Sequence, residues 1–151
     1  SKDAVEESVM RLSRVGFDNV IGFLDGGIEA WKQEGKECDA VRRISASTFI
    51  DESKEENAQI IDVRRPAEYI SSHVEGAEKK TLAEINEWVK DINPKEHFYL
   101  HCAGGYRSMI AASILEARGF RNFTEIEGGF NAIAKTDVPK TDFVCQSKIL
   151  K

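Results

Sequence analysis

The stretch Phe98-Tyr99-Leu100-His101-Cys102-Ala103-Gly104-Gly105-Tyr106-Arg107-Ser108 decides how the chain is read. Phe98-Tyr99-Leu100 is apolar and aromatic, the composition of a buried strand. Met109-Ile110-Ala111-Ala112-Ser113-Ile114-Leu115 follows, and its apolar composition and strong helix formers predict a helix. One cysteine therefore stands where a strand ends, two glycines follow it, and a helix begins. In that geometry backbone N–H groups converge in front of the helix, at a point that binds anions and stabilises a thiolate. Cys102 reads as a nucleophile in an anion-binding loop made of Ala103, Gly104, Gly105, Tyr106 and Ser108. A cysteine at a strand end is more often simply buried, and it is the loop around it that reverses that reading. Gly104 and Gly105 are expected to supply positive φ and to leave no side chain between amides and sulfur. Arg107 either forks onto an anionic ligand or fastens the loop through carbonyls and carboxylates. Its charge and the helix N-terminus are both expected to acidify the thiol.

Strands and helices alternate on both sides of this stretch. Arg43-Ile44-Ser45 predicts a short strand, with Ser45 or Ser47 capping a helix through Phe49 and Ile50. Asn57-Ala58 leads into an apolar strand, Gln59-Ile60-Ile61-Asp62-Val63, and Pro66 suits the first turn of the next helix. A turn over Ser72–Ala77 precedes a weaker strand near Lys79–Leu82. Leu82, Ile85, Trp88, Val89 and Ile92 recur at helical spacing, and Pro94 ends that helix. Helix Ser108–Arg118, strand Phe123–Ile126 and helix Gly129–Ala134 follow. The alternation predicts an α/β fold: a mainly parallel sheet of about five strands with helices on both faces.

Two segments repeat. Gly16-Phe17-Asp18-Asn19-Val20 matches Gly119-Phe120-Arg121-Asn122-Phe123, and Asp25-Gly26-Gly27-Ile28-Glu29-Ala30 matches Glu127-Gly128-Gly129-Phe130-Asn131-Ala132. Order and composition agree over more than a dozen positions, which favours duplication of a domain over chance. Carried back through the repeat, Cys102 falls just before Ser1 and Arg107 falls on Ala4. Residues 1–35 thus read as the end of a preceding domain: helix Ala4–Val15, strand Val20–Leu24 and helix Ile28–Glu34. Residues 36–42 read as a linker, 43–137 as a complete domain and 138–151 as a tail. Such a remnant cannot bury its own apolar faces. It is expected to pack on the complete domain, to pair with a second copy as a homodimer, or to stay partly disordered. The chain begins without a methionine and is expected to be a piece of a longer protein.

Composition narrows the function. The 151 residues are 41% apolar and 31% charged, the balance of a globular domain. A net charge of −5 carries no basic surplus for nucleic acid, and no apolar run approaches a membrane span. Three cysteines without a CxxC pair predict neither disulfides nor zinc, and a cytoplasmic setting.

The cysteine loop resembles the active loop of rhodanese-like sulfurtransferases. Asp62-Val63-Arg64-x-Pro66-x-Glu68-Tyr69, His73-Val74-x-Gly76-Ala77 and Glu127-Gly128-Gly129 resemble that family's other landmarks, in its order, over residues 42–136. The N-terminal piece, with Asp25-Gly26-Gly27-Ile28-Glu29-Ala30-Trp31, resembles the end of a second such domain. Tandem modules of this kind occur behind a metallo-β-lactamase-fold domain in persulfide dioxygenase-like fusions. No metal motif of such a domain lies within this chain, so no metal or cofactor is expected here. The resemblance implies that Cys102 takes a sulfane sulfur from a small donor and passes it to a thiol or cyanide, with Arg107 assisting. Asp62, Arg64, Glu68 and His73 are expected to frame the loops, and His101 to be packed rather than a general base. Tyr106 lines the mouth or covers the loop. Cys38 and Cys145 read as exposed and incidental, Trp31 and Trp88 as core. Two rivals remain at this stage. Cysteine phosphatases need Cys-x5-Arg, whereas Cys102 and Arg107 are spaced Cys-x4-Arg, too short to ring a phosphate. A non-catalytic binding module is the other, and Ala4 at the arginine position makes the first copy a candidate for it.

Overall fold

Three four-residue strands build the centre of the molecule: β2 (Gln59–Asp62), β4 (Phe98–His101) and β5 (Phe123–Ile126). With the short strands β1 (Arg43–Ile44) and β3 (Glu78–Lys79) they form a five-stranded sheet in the order β1-β5-β4-β2-β3, and every pairing is parallel. The structure is a computed structural model that describes residues 2–14, 16, 18–55 and 59–145, with 2, 3, 54 and 55 as backbone. The expected helix end at Val15, Phe17 of the repeat, the Asn57-Ala58 lead-in and tail positions 146–151 lie outside the described residues.

A sheet of parallel strands needs cover on both faces, and the chain supplies it. On one face Ile61, Phe98, Leu100 and Phe123 pack with Ile85, Trp88 and Val89 of α5 (Ile85–Trp88, extended at each end by a 3-10 turn) and with Ala111, Ala112 and Leu115 of α6 (Tyr106–Ala117). On the other, Ile60, Tyr99 and Ile126 pack with Ala46 and Phe49 of α3 (Ala46–Glu55) and Ile133 of α7 (Gly129–Ile133). Ser45 is the residue that caps α3, its Oγ accepting from the Thr48 amide at 3.1 Å. The fold class is the expected α/β arrangement.

Strand order places the site. β2 and β4 are neighbours, but the strand after β2 lies on one side of the pair and the strand after β4 on the other. In open α/β sheets the crevice beyond the carboxyl ends of two such strands is where ligands bind. Asp62 ends β2, His101 ends β4, and Cys102 comes next.

The chain divides into two compact units, Ser1–Ala40 and Val41–Lys151. In the first, α1 (Lys2–Ser13) and α2 (Gly27–Gln33) form, but the strand expected over Val20–Leu24 does not, and residues 18–24 are without regular structure. A strand exists only by pairing, and a single strand has no partner to supply its backbone bonds. Trp31, expected in a core, is 37% exposed, and α2 buries none of its residues. Trp88 is buried, its Nε1 donating to the Thr81 carbonyl at 2.8 Å.

The second unit extends beyond the expected boundary at 137. Val138 is buried, Lys140 bridges antiparallel to Val74, and the Val144 amide donates to the Ser71 carbonyl at 2.7 Å. Residues 138–144 are therefore part of the domain, tied along α4 (Pro66–Ser71) and the turn after it.

Candidate active site

β4 delivers Cys102 to the head of α6, and the backbone then turns sharply through Gly105 at φ +104. Gly104 does not take positive φ, contrary to expectation, and a Cβ there would meet only Asn131 Nδ2 at an ordinary 3.7 Å. Only Gly105 is required by backbone conformation. The turn aims the Gly105 N–H at Cys102 Sγ, 3.1 Å away, and α6 adds the Ser108 hydroxyl at 3.4 Å. Cys102 is almost wholly enclosed, 1% exposed as a residue. Burial is the largest single influence on the thiol and pushes its pKa up. The Ser108 hydroxyl and the amides of Ser108, Gly105 and Gly104 together outweigh it, so the thiol is more acidic than usual.

The loop backbone is anchored from behind by α7. Two amides of its first turn, Phe130 N and Asn131 N, donate to the carbonyls of Cys102 at 2.7 Å and Ala103 at 2.9 Å. The approach is so close that a Cβ on Gly129 would lie 2.3 Å from the Cys102 oxygen. That contact explains the second glycine of Glu127-Gly128-Gly129.

Arg107 forks onto Glu68, with Nη1–Oε2 at 2.6 Å and Nη2–Oε1 at 2.8 Å. Of its two readings the structure shows the second, fastening through a carboxylate. Glu68 also accepts from the Arg65 amide at 3.1 Å, so one carboxylate ties the start of α4 to α6. The Arg107 hydrogen bond, aided by the Arg65 amide, holds Glu68 below the usual carboxylate range against the opposing effect of burial. Arg107 and Cys102 interact through their charges, as expected, although Glu68 shares the guanidinium. The main sources of the thiol's acidity are the hydrogen bonds from Ser108 and the loop amides.

Asp62 and Arg64 form a buried pair in which Asp62 accepts from Arg64 Nε, Nη2 and backbone N at 2.6–3.0 Å. Arg64 also donates to the Ser72 carbonyl at 2.8 Å and stacks 4.0 Å from the Phe130 ring centre. His101 is fully buried, with Nδ1 3.2 Å from the Cys102 oxygen and Nε2 4.0 Å from Asp62 Oδ2. Burial lowers its pKa, so it stays neutral, as a packed histidine should. His73 lies apart from this group, stacked on Tyr69 and bonded through Nδ1 to the Tyr69 carbonyl at 2.8 Å. Tyr106 is 81% exposed at the mouth. Ala103 is half-buried and Gly104 exposed.

Sequence reasoning missed Glu125. It is fully buried in β5, and its Oε1 accepts from the Ser108 hydroxyl at 2.7 Å while Oε2 accepts from Arg43 Nε at 2.8 Å. The available signal was a carboxylate inside Phe123-Thr124-Glu125-Ile126, a central strand of a parallel sheet, where a charge needs a partner. Among the described residues no three His, Cys, Asp or Glu are grouped to hold a metal ion, and no helix is long and apolar enough to cross a membrane.

Comparison with known proteins agrees with this geometry. The family model of the rhodanese-like domain matches residues 45–136. The thiosulfate sulfurtransferase GlpE of Pseudoalteromonas translucida is 29% identical over 93 residues, which cover 62% of this chain and 89% of GlpE. YqhL of Bacillus subtilis is 34% identical over 73 residues, 48% of this chain, and the match spans only 58% of YqhL. Among solved structures, a rhodanese-related protein from Thermoplasma volcanium superposes with a TM-score of 0.60 at 26% identity, covering 66% of this chain and 97% of its own.

Proposed function

This chain belongs to the rhodanese-like domain family, and from that premise we propose that it is a sulfurtransferase working through a persulfide on Cys102. The observation that carries the reading is the enclosed Cys102 sulfur at the head of α6, facing the Gly105 N–H at 3.1 Å. The similarity to a thiosulfate sulfurtransferase over most of that protein's length supports it.

In the first half-reaction the Cys102 thiolate attacks the outer sulfur of thiosulfate or of a persulfide. A new S–S bond forms, the donor's S–S bond breaks, and sulfite or a thiolate leaves with the electron pair. The persulfide anion on Cys102 then lies among the same amides. In the second half-reaction a thiol or cyanide attacks the terminal sulfur and Cys102 leaves as thiolate. Neither step needs a metal or an organic cofactor from this chain. Arg107 and Glu68 hold the loop in shape, and the guanidinium adds positive charge for an anionic donor. The physiological setting that fits is sulfide and persulfide metabolism in the cytoplasm. A homodimer, or an upstream metallo-β-lactamase-fold domain that would carry any metal, belongs to the same proposal.

Thiocyanate release from thiosulfate and cyanide tests the reading, alongside the mass of the protein after exposure to a persulfide donor. Cys102→Ser is expected to lower turnover by roughly a thousandfold or more, the usual cost of removing a nucleophile. The wild type is expected to gain one sulfur on the peptide that contains Cys102. A Cys102→Ser protein that still gained that sulfur would remove Cys102 from the mechanism. Hydrolysis of an aryl phosphate without sulfur transfer would replace the function altogether.

A further inference from the structure

Ser108 sets one hydroxyl hydrogen among three acceptors. Its Oγ lies 2.7 Å from Glu125 Oε1, 3.0 Å from the Gly105 carbonyl oxygen and 3.4 Å from Cys102 Sγ. Ser108 and Glu125 are fully buried and Cys102 is 1% exposed, so these groups must satisfy one another. A carboxylate at 2.7 Å attracts that hydrogen more strongly than sulfur at 3.4 Å. Arg43 Nε holds the other carboxylate oxygen at 2.8 Å and keeps Oε1 turned toward Ser108. The loop leaves room for this: a Cβ on Gly105 would sit 3.7 Å from Glu125 Oε1.

From this geometry we infer that Glu125 is a positioning residue for Cys102: it draws the Ser108 hydroxyl hydrogen away from the sulfur and limits how far the thiolate is stabilised. The inference rests on the reading of Cys102 as the nucleophile. Its consequence is a thiolate that leans more on the backbone amides than it would if the Ser108 hydroxyl hydrogen were free to turn to it. Nucleophilicity falls as a thiol becomes more acidic, so a sulfur with fewer donors attacks faster once ionised. Glu125 thereby trades some ionisation for reactivity. The other charges around these groups are Arg107 with Glu68, His101 and Asp62 with Arg64 at the strand ends, and Glu127 beside Arg43. The variants below leave these residues in place, but Glu125→Gln removes a charge that His101 and Arg43 feel, so the comparison with and without the Ser108 hydroxyl is what isolates its effect on Cys102.

Glu125→Gln keeps the side-chain shape and an acceptor for Arg43, but turns an amide N–H toward the Ser108 oxygen and frees the hydroxyl hydrogen for Cys102. The test is iodoacetamide alkylation of the intact chain against pH, read on the peptide containing Cys102, because Cys38 and Cys145 are exposed. The alkylation midpoint of Glu125→Gln is expected to fall by roughly one pH unit, the size of one hydrogen bond to a charged group. The limiting rate at high pH should be roughly threefold lower. Most of the fall in midpoint should vanish when Ser108→Ala is added, leaving only the through-space effect of the lost carboxylate charge. A midpoint that stays, rises, or falls equally without the hydroxyl overturns the inference. If Glu125→Gln does not fold, Glu125→Asp, which withdraws the carboxylate from Ser108, is expected to shift the midpoint the same way, and an unmoved midpoint overturns it. Alkylation needs no sulfur donor, so its outcome is separate from whether the protein transfers sulfur.

Discussion

The chain contains the same Gly-Gly turn twice, and the two copies differ in what they touch. Gly26 and Gly128 both precede a short helix at nearly equal φ, 73° and 74°. A Cβ on either would strike the alanine four residues on, Ala30 at 2.8 Å and Ala132 at 2.9 Å. The first glycine of each pair is thus required by its own helix. The second glycines differ. For Gly27 the nearest atom is the Glu29 carboxylate at 3.6 Å, an ordinary contact, whereas Gly129 has the Cys102 carbonyl oxygen at 2.3 Å. The same contrast holds further along the helices. Trp31, 37% exposed, and Ile133, fully buried, occupy matching places in the repeat. The turn is therefore encoded locally, and what makes it part of a site is the loop laid against it.

The largest way to sharpen this contrast is to add a methyl group at each second glycine. Gly129→Ala meets backbone and a left-handed conformation together, and is expected to cost about 4 kcal/mol by urea unfolding. It should also lower sulfur transfer by roughly a hundredfold, because a displaced loop loses its geometry. Gly27→Ala meets only the conformational strain, about 1 kcal/mol, and should leave transfer at the wild-type rate. Equal losses at the two positions would erase the distinction. Next in size is truncation at the matching helical positions. Ile133→Ala should cost about 3 kcal/mol as a cavity in the core. Trp31→Ala, at a half-exposed site, should cost about 1 kcal/mol or less in the same urea measurement. A Trp31 loss as large as that at Ile133 would mean that the first unit has a core of its own.

How much of this was legible follows from what each element depends on. The parallel sheet could be read because apolar runs such as Ile60-Ile61 and Phe98-Tyr99-Leu100 declare burial on both faces. The cysteine loop could be read because a strand, a turn glycine and a helix start are local signals. Residues 18–24 carry the same local signal as β5, yet form no strand, because pairing is supplied from outside the segment. The tail was silent for a related reason. Val144 docks through a backbone bond to Ser71, which any side chain could accompany, and Thr141 pairs with His73 across 68 residues, its hydroxyl oxygen accepting from the His73 amide at 3.0 Å. Glu125 and Arg43 lie 82 residues apart, so their pairing depended on the register of β1 against β5. Arg107 was read with the right alternatives, and Glu68 decided between them.

The smallest expected effect is on pH dependence, and it separates two groups of the second unit. Glu68 has a folded pKa below its ordinary value because of Arg107. Its stabilisation is present above the unfolded value near ~4.3 and is lost as pH falls through the folded value. His101 is also depressed, by burial. Its unfolded form takes up a proton below about 6.5 while the folded form does not, so stability falls as pH drops below that point. Between pH 8 and pH 5 the loss should therefore belong to His101, and below pH 5 Glu68 should join it. His101→Gln is expected to flatten the upper window of a urea-midpoint profile and leave the lower limb. Glu68→Gln should do the reverse, with Arg107 left unpaired at every pH. A profile between pH 8 and pH 5 that His101→Gln leaves unchanged would show that the histidine beside the cysteine is not the buried neutral group its surroundings require.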